Sequence, residues 1–195
     1  MTAAITFFAV FGYTQGTFVY DQQSSDESNF GSGGIGIQAN QLIGQSFTPT
    51  LSSIGFIRLV VYDGVQNNSL GATLFVNVRT NSIGGAILGS TATILLPDGF
   101  GRGSNGVVDF FFSSPIPLSP GVSYFFQPVV QSGDTWGVSV YNTFGYSGGN
   151  AFVQGIASPG SDLWFREGII VPEPSAAVLI LVGLAMTRYI RRSSK

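Results

Sequence analysis

The sequence predicts an all-β protein, an antiparallel β-sandwich followed by a short C-terminal transmembrane helix. Three observations carry that expectation. Short apolar runs rich in Val, Ile, Phe and Tyr recur between clusters of Gly, Pro, Asn, Asp and Ser, with no helical pattern of useful length between them. The 195 residues include 27 glycines and 9 prolines, yet 44% are apolar and only 9% charged, which suits one turn-rich domain with a sizeable core. Near the C-terminus an apolar run ends in a cluster of cations.

At the N-terminus, Met1 to Gly16 reads MTAAITFFAVFGYTQG, uncharged and apolar from Ala3 to Phe11. It ends on the small-x-small triplet Thr14-Gln15-Gly16, as a secretory signal peptide would, but lacks the basic n-region. Residues 1–16 are therefore expected to be a signal peptide with a trimmed start; the other reading is a first β-strand.

Residues 17–170 are expected to form the sandwich. Gly55 to Tyr62 reads as a strand closed by the turn dipeptide Asp63-Gly64. Thr73 to Thr80 alternates, with Leu74, Val76 and Val78 on one face and Asn77 and Arg79 on the other. Further strands are expected at Ala86–Leu95, Val107–Phe112, Ser123–Val130, Thr135–Tyr141, Asn150–Gln154 and Leu163–Arg166. Even spacing of this kind points to a sandwich. The stretch Pro115-Ile-Pro117-Leu-Ser-Pro120-Gly121 is expected to connect two strands, because each proline lacks a backbone donor. Gly31-Ser-Gly-Gly-Ile-Gly36 and Gly101-Arg-Gly103 are read as loops, not as phosphate cradles, since neither links a recognisable strand to a helix. Asn67-Asn-Ser69 marks a surface loop.

With no cysteine and no histidine, the chain has no disulfide framework, no thiolate nucleophile, no cysteine-ligated zinc and no imidazole base. The ten carboxylates are scattered, so no catalytic residues and no metal ligands are assigned, and no enzyme activity is expected. Asp21, Asp26 and Glu27 lie close in sequence, but a solvated acidic loop explains them better than calcium does; no cofactor is expected. Aromatic rings can serve as platforms for sugar faces, and Trp136, Tyr141 and Tyr146 are the candidate glycan contacts. Trp164, inside Leu163-Trp-Phe165, is assigned to the core.

The net charge of −2 suggests no nucleic-acid partner, for which a basic patch would be the signature. It also conceals an asymmetry. Ten acids against Arg58, Arg79, Arg102 and Arg166 leave residues 17–174 at −6, whereas Arg188, Arg191, Arg192 and Lys195 give the last 21 residues +4. An apolar run with a basic end at the C-terminus predicts a membrane anchor whose basic side stays in the cytoplasm and whose preceding domain is exported. The uncharged stretch between Glu173 and Arg188 is 14 residues, roughly 21 Å as a helix against a hydrocarbon core of ~30 Å. With Arg188 snorkelling, a span over 175–190 is at the lower limit of length. A C-terminal core helix is the alternative.

Val171-Pro172-Glu173-Pro174-Ser175, the apolar run and the terminal arginines together closely resemble the PEP-CTERM sorting signal of exported bacterial proteins. The resemblance covers residues 171–192, with an apolar run short for the family and Thr187 before the first arginine. It implies recognition by exosortase, a membrane-embedded cysteine protease, through Pro172, Glu173 and Pro174, with Arg188, Arg191 and Arg192 as the stop-transfer cluster. It further implies a Gram-negative producer of exopolysaccharide, transient residence in the inner membrane, and a mature form at the cell surface or outside the cell. In that reading residues 171–195 are a processing tag. More weakly, Gly44-Gln-Ser-Phe47-Thr-Pro49, Leu118-Ser-Pro-Gly121-Val-Ser-Tyr124 and Asp162-Leu-Trp-Phe-Arg166 resemble β-sandwich domains found ahead of such tags, which implies a jelly-roll, carbohydrate-binding-like fold. The expected function is a non-enzymatic surface or matrix protein associated with exopolysaccharide or biofilm; the alternative is a carbohydrate-binding module. Fold likeness alone supplies neither.

Overall fold

A computed structural model of the chain describes residues 16–25, 27–30, 33–102, 106–141 and 145–173. Val19–Ile169 form one compact unit; residues 1–18 and 170–195 are grouped as a second, of which 16–18 and 170–173 are described. The strands, in chain order, are β1 (Thr17–Gln23), β2 (Gly33–Gly36), β3 (Gly44–Phe47), β4 (Ser53–Asp63), β5 (Ala72–Thr80), β6 (Ile87–Ser90), β7 (Ile94–Leu96), β8 (Val107–Pro117), β9 (Tyr124–Gly133), β10 (Trp136–Tyr141), β11 (Ala151–Val153), β12 (Ile156–Ser158), β13 (Asp162–Leu163) and β14 (Phe165–Val171). One 3₁₀ turn, Gln38–Asn40, interrupts them.

The strands make two antiparallel sheets. One runs β1-β14-β4-β10-β13, with β2 on β10 and β8 on β4; the other runs β12-β11-β3-β9-β5-β6, with β7 on β5. The all-β, sandwich-like expectation is met: one apolar core draws Leu59 and Phe165 from the first sheet and Leu74, Val76 and Phe126 from the second. Phe126 on β9 meets Phe165 on β14 at 5.2 Å between ring centroids, and Phe47 on β3 at 6.1 Å. Alternation assigns the faces. Ile57, Leu59 and Val61 join the core while Phe56 lies on the other face of the sheet, also fully buried, and packs edge-on against Tyr20. A β-bulge between Ile54 and Phe56 changes the parity, so Ile54 also faces inward.

Several predicted elements are redrawn by the pairing. Gly33–Gly36 is not loop but β2, paired with β10. Pro115–Pro117 is not a connection but the end of β8, with Ile116 opposite Ile54 and Pro117 opposite Ser53. Among the described strands β8 pairs with β4 alone, and at such an edge a missing donor need not break a ladder. The single strand expected over Ala86–Leu95 divides into β6 and β7 at Thr91, whose hydroxyl accepts from Val76 N at 2.9 Å while its own N–H bonds Val76 O at 2.9 Å. The strand expected over Leu163–Arg166 divides at Trp164, where the chain passes from pairing with β10 to pairing with β4. Trp164 is fully buried, as expected of a core residue.

Among the described residues no helix is long and apolar enough to cross a membrane. Residues 1–15, Pro174, the expected span 175–190 and Arg188, Arg191 and Arg192 lie outside the described residues.

Candidate functional site

The three aromatic glycan candidates do not make one platform. Trp136 is 0% exposed, because residues 136, 138 and 140 of β10 share the core-facing parity; its ring packs against Phe100 at 6.1 Å. Trp136 therefore offers no face to a sugar, which corrects its assignment. Tyr141 is half-buried, and its hydroxyl accepts from Asn29 Nδ2 at 3.1 Å. The Tyr146 hydroxyl donates to Gln22 Oε1 at 2.8 Å and accepts from Thr48 N at 2.9 Å, while its ring stands edge-to-face on Phe165 at 5.3 Å. Burial raises the Tyr146 pKa above its ordinary value.

The acidic stretch has other work than cation binding. Asp21 accepts from Thr50 N at 2.8 Å, Leu51 N at 2.9 Å, Gln22 Nε2 at 3.0 Å and the Thr50 hydroxyl. Burial alone would raise its pKa, but the bonds from Leu51, Thr50 and Gln22 outweigh it and hold the carboxyl below its ordinary range. Glu27 bridges Arg58 and Arg166; Asp26 lies outside the described residues. Among the described residues no group of three acids comes together that could hold a metal ion.

The turn dipeptides Asp63-Gly64 and Asp98-Gly99 are tied to one another. Asp63, fully buried, accepts from Val65 N at 2.8 Å and Gly99 N at 2.7 Å, and Asp98 accepts from Asn67 N at 3.0 Å and Ser69 N at 2.8 Å. Both carboxylates act as turn residues.

What the pairing does assemble is a polar depression of about 560 Å³, lined by Ser46, Ser123, Tyr146, Ser147 and Asn150, by glycines, and by Asp162, the sole charged one among the described residues. Asp162 opens β13 beside β3 and is only 2% exposed. Its Oδ1 accepts from Gln45 Nε2 at 2.6 Å and its Oδ2 from Tyr146 N at 2.6 Å, and Gln45 Oε1 accepts from Leu163 N at 3.0 Å. Burial raises the Asp162 pKa; the Gln45 and Tyr146 donors oppose that rise. The glycines here are dictated by contact: a Cβ on Gly145 would stand 2.0 Å from Asp162 Oδ2, and one on Gly149 2.0 Å from Ser46 O. Ser46 Oγ is held between Asn150 N and Asn150 O, at 2.8 and 3.3 Å. Among the described residues none of Ser46, Ser123 and Ser147 bonds Asp162, whose oxygens are taken by Gln45 and Tyr146, so the depression has the chemistry of a hydrogen-bonding cleft. Of this depression the sequence pointed only to Tyr146; the run Gly145-Tyr-Ser-Gly-Gly-Asn150 is the further signal.

At the other predicted site, β14 ends at Val171, which is 45% exposed, and Pro172 and Glu173 continue in irregular, exposed backbone. The chain matches no family model, no curated protein and no solved structure.

Proposed function

We propose that this chain is a non-enzymatic exported protein of the cell surface or extracellular matrix, sorted through Pro172-Glu173-Pro174 and processed by an exosortase-like membrane protease. The sandwich is of the jelly-roll, carbohydrate-binding-like type, and it resides with the exopolysaccharide of the cell that makes it. The observation that carries this reading is the exposure of Pro172 and Glu173 directly after the last strand. A protease needs an extended, accessible segment, and flanking prolines keep the chain out of helix there. The run over 175–190 serves as a temporary span and Arg188, Arg191 and Arg192 as its cytoplasmic stop. The charge asymmetry follows: an acidic domain is delivered and a basic tail is left behind.

Mass spectrometry of the protein recovered from its native host tests the processing step. The expected mature form ends near the motif; a C-terminus intact through Lys195 overturns processing. A carbohydrate-binding module is the second reading, and the polar depression favours it.

A further inference from the structure

We infer that the depression beside Asp162 is a binding site for one unit of a neutral saccharide, held by hydrogen bonds and not by ring stacking. The lining selects the ligand by exclusion. Among the described residues Tyr146 is the one large side chain in the lining, which is otherwise Ser, Gly, Asn and Asp, so a hydrocarbon or lipid gains little by entering. Among the described residues the lining holds no cation to pair with a uronate, a phosphate or a sulfate. A bare metal ion or an amine would need Asp162 as a free anion, but both its oxygens already accept short bonds from Gln45 and Tyr146, and burial disfavours its charged form. What remains is a polyhydroxylated, uncharged molecule.

Such a molecule finds suitable partners. Ser147 is exposed and brings a hydroxyl; Ser123 brings another, in contact with Thr48 Oγ1 at 3.2 Å. Asn150, also in the lining, is fixed through its backbone on Ser46 and carries a carboxamide. A volume of about 560 Å³ is within the range of small-molecule sites. The cleft is also formed in advance. Gly145, Gly148 and Gly149 press against Asp162, the Tyr146 hydroxyl and Ser46 so closely that no side chain fits, so little ordering is left for the ligand to impose. Tyr146, committed to Phe165, Gln22 and Thr48, gives the wall its shape without stacking on the sugar. This assignment rests on the reading above only in taking exopolysaccharide as the natural source of the sugar.

Ligand-observed saturation-transfer NMR on the full chain tests it, using methyl glycosides of glucose, galactose, mannose and rhamnose, with glucuronate as the charged control. The expected result is transfer to at least one neutral glycoside and none to glucuronate. Ser147→Trp fills the opening from an exposed position, and Asn150→Ala removes the carboxamide while keeping the backbone bonds to Ser46. Each is expected to weaken binding at least about tenfold with unchanged melting temperature. Silence from all four neutral glycosides, equal transfer to glucuronate, or binding untouched in both variants overturns the assignment. C-terminal mass reads the sorting proposal separately, so either can fail alone.

Discussion

Arg58 and Arg166 stand directly opposite one another across the β4–β14 ladder, a pairing of like charges that ordinarily destabilises a sheet. Glu27 resolves it by bonding both guanidiniums, Asp109 holds Arg58 with two bonds of 2.6 and 2.9 Å, and the Tyr20 ring lies under Arg166 at 3.5 Å and Arg58 at 5.5 Å. The Asp109 hydrogen bond is the largest cause raising the Arg58 pKa. Glu27→Gln leaves the two cations facing one another without the bridging charge. The expected loss is about 1 kcal/mol, because Glu27 is partly exposed and screened, and it should shrink as salt is added. In a double-mutant cycle with Arg166→Gln the two losses should be less than additive. Full additivity in urea denaturation would show that Glu27 is not the bridge.

Glu167 lies on the opposite face of the same strand, two residues from Phe165 and so turned toward the core. It is 0% exposed, and among the described residues neither carboxylate oxygen has a hydrogen-bond partner of good geometry. Burial is the main cause that pushes its pKa up to about 8; the charge of Asp21 adds to the rise, and the Gln22 backbone amide opposes it. A carboxyl with a higher pKa folded than unfolded binds its proton more tightly in the native state. Its contribution to stability is therefore complete below its ordinary pKa of 4.5 and is lost as pH climbs toward about 8, at up to about 1.4 kcal/mol per pH unit. Glu167→Gln mimics the neutral acid. It should match the parent near pH 4.5, exceed it at pH 8 to 9, and flatten the profile between. Denaturant midpoints measured across that window check it; parallel profiles for parent and variant would refute a buried, unpaired Glu167.

Fold class was legible because the cues are local. Thr73–Thr80 alternates over its whole length, and β5 occupies almost the same residues with the same faces. What escaped was set by distant partners. Trp136 is a candidate sugar platform by residue type within the strand expected over Thr135–Tyr141, and only the β10 register, with Val138 and Val140 beside it, assigns it to the core. Pro115 and Pro117 are tolerated because β8 has an edge position, which no local pattern announces. The depression joins residues 46, 123, 145–150, 160 and 162, brought together by the β3, β10 and β13 pairings. Its signal, a Gly-Ser-Asn run, is in sequence indistinguishable from a loop.

Gly137 shows how such a distant partner can dictate a residue. It sits opposite Tyr62 on β4 and opposite Gly36 on β2, and a Cβ placed on it would come within 2.2 Å of the Tyr62 ring; a Cβ on Gly34 would come within 2.0 Å of the Tyr62 hydroxyl. The ring, stacked under Arg102 at 4.8 Å, occupies the space that side chains on β2 and β10 would fill. This explains Gly34 on β2 and Gly137 on β10; Gly33 and Gly36 have room for a Cβ. Gly137→Ala should destabilise by about 1–3 kcal/mol, as overpacking does. Tyr62→Ala alone should also lose stability by vacating the space. In the double variant the clash is gone, so its loss should fall below the sum of the two by at least about 1 kcal/mol. Thermal unfolding of the four proteins measures that coupling, and a coupling of zero would mean that the Tyr62 ring does not lie across these glycines.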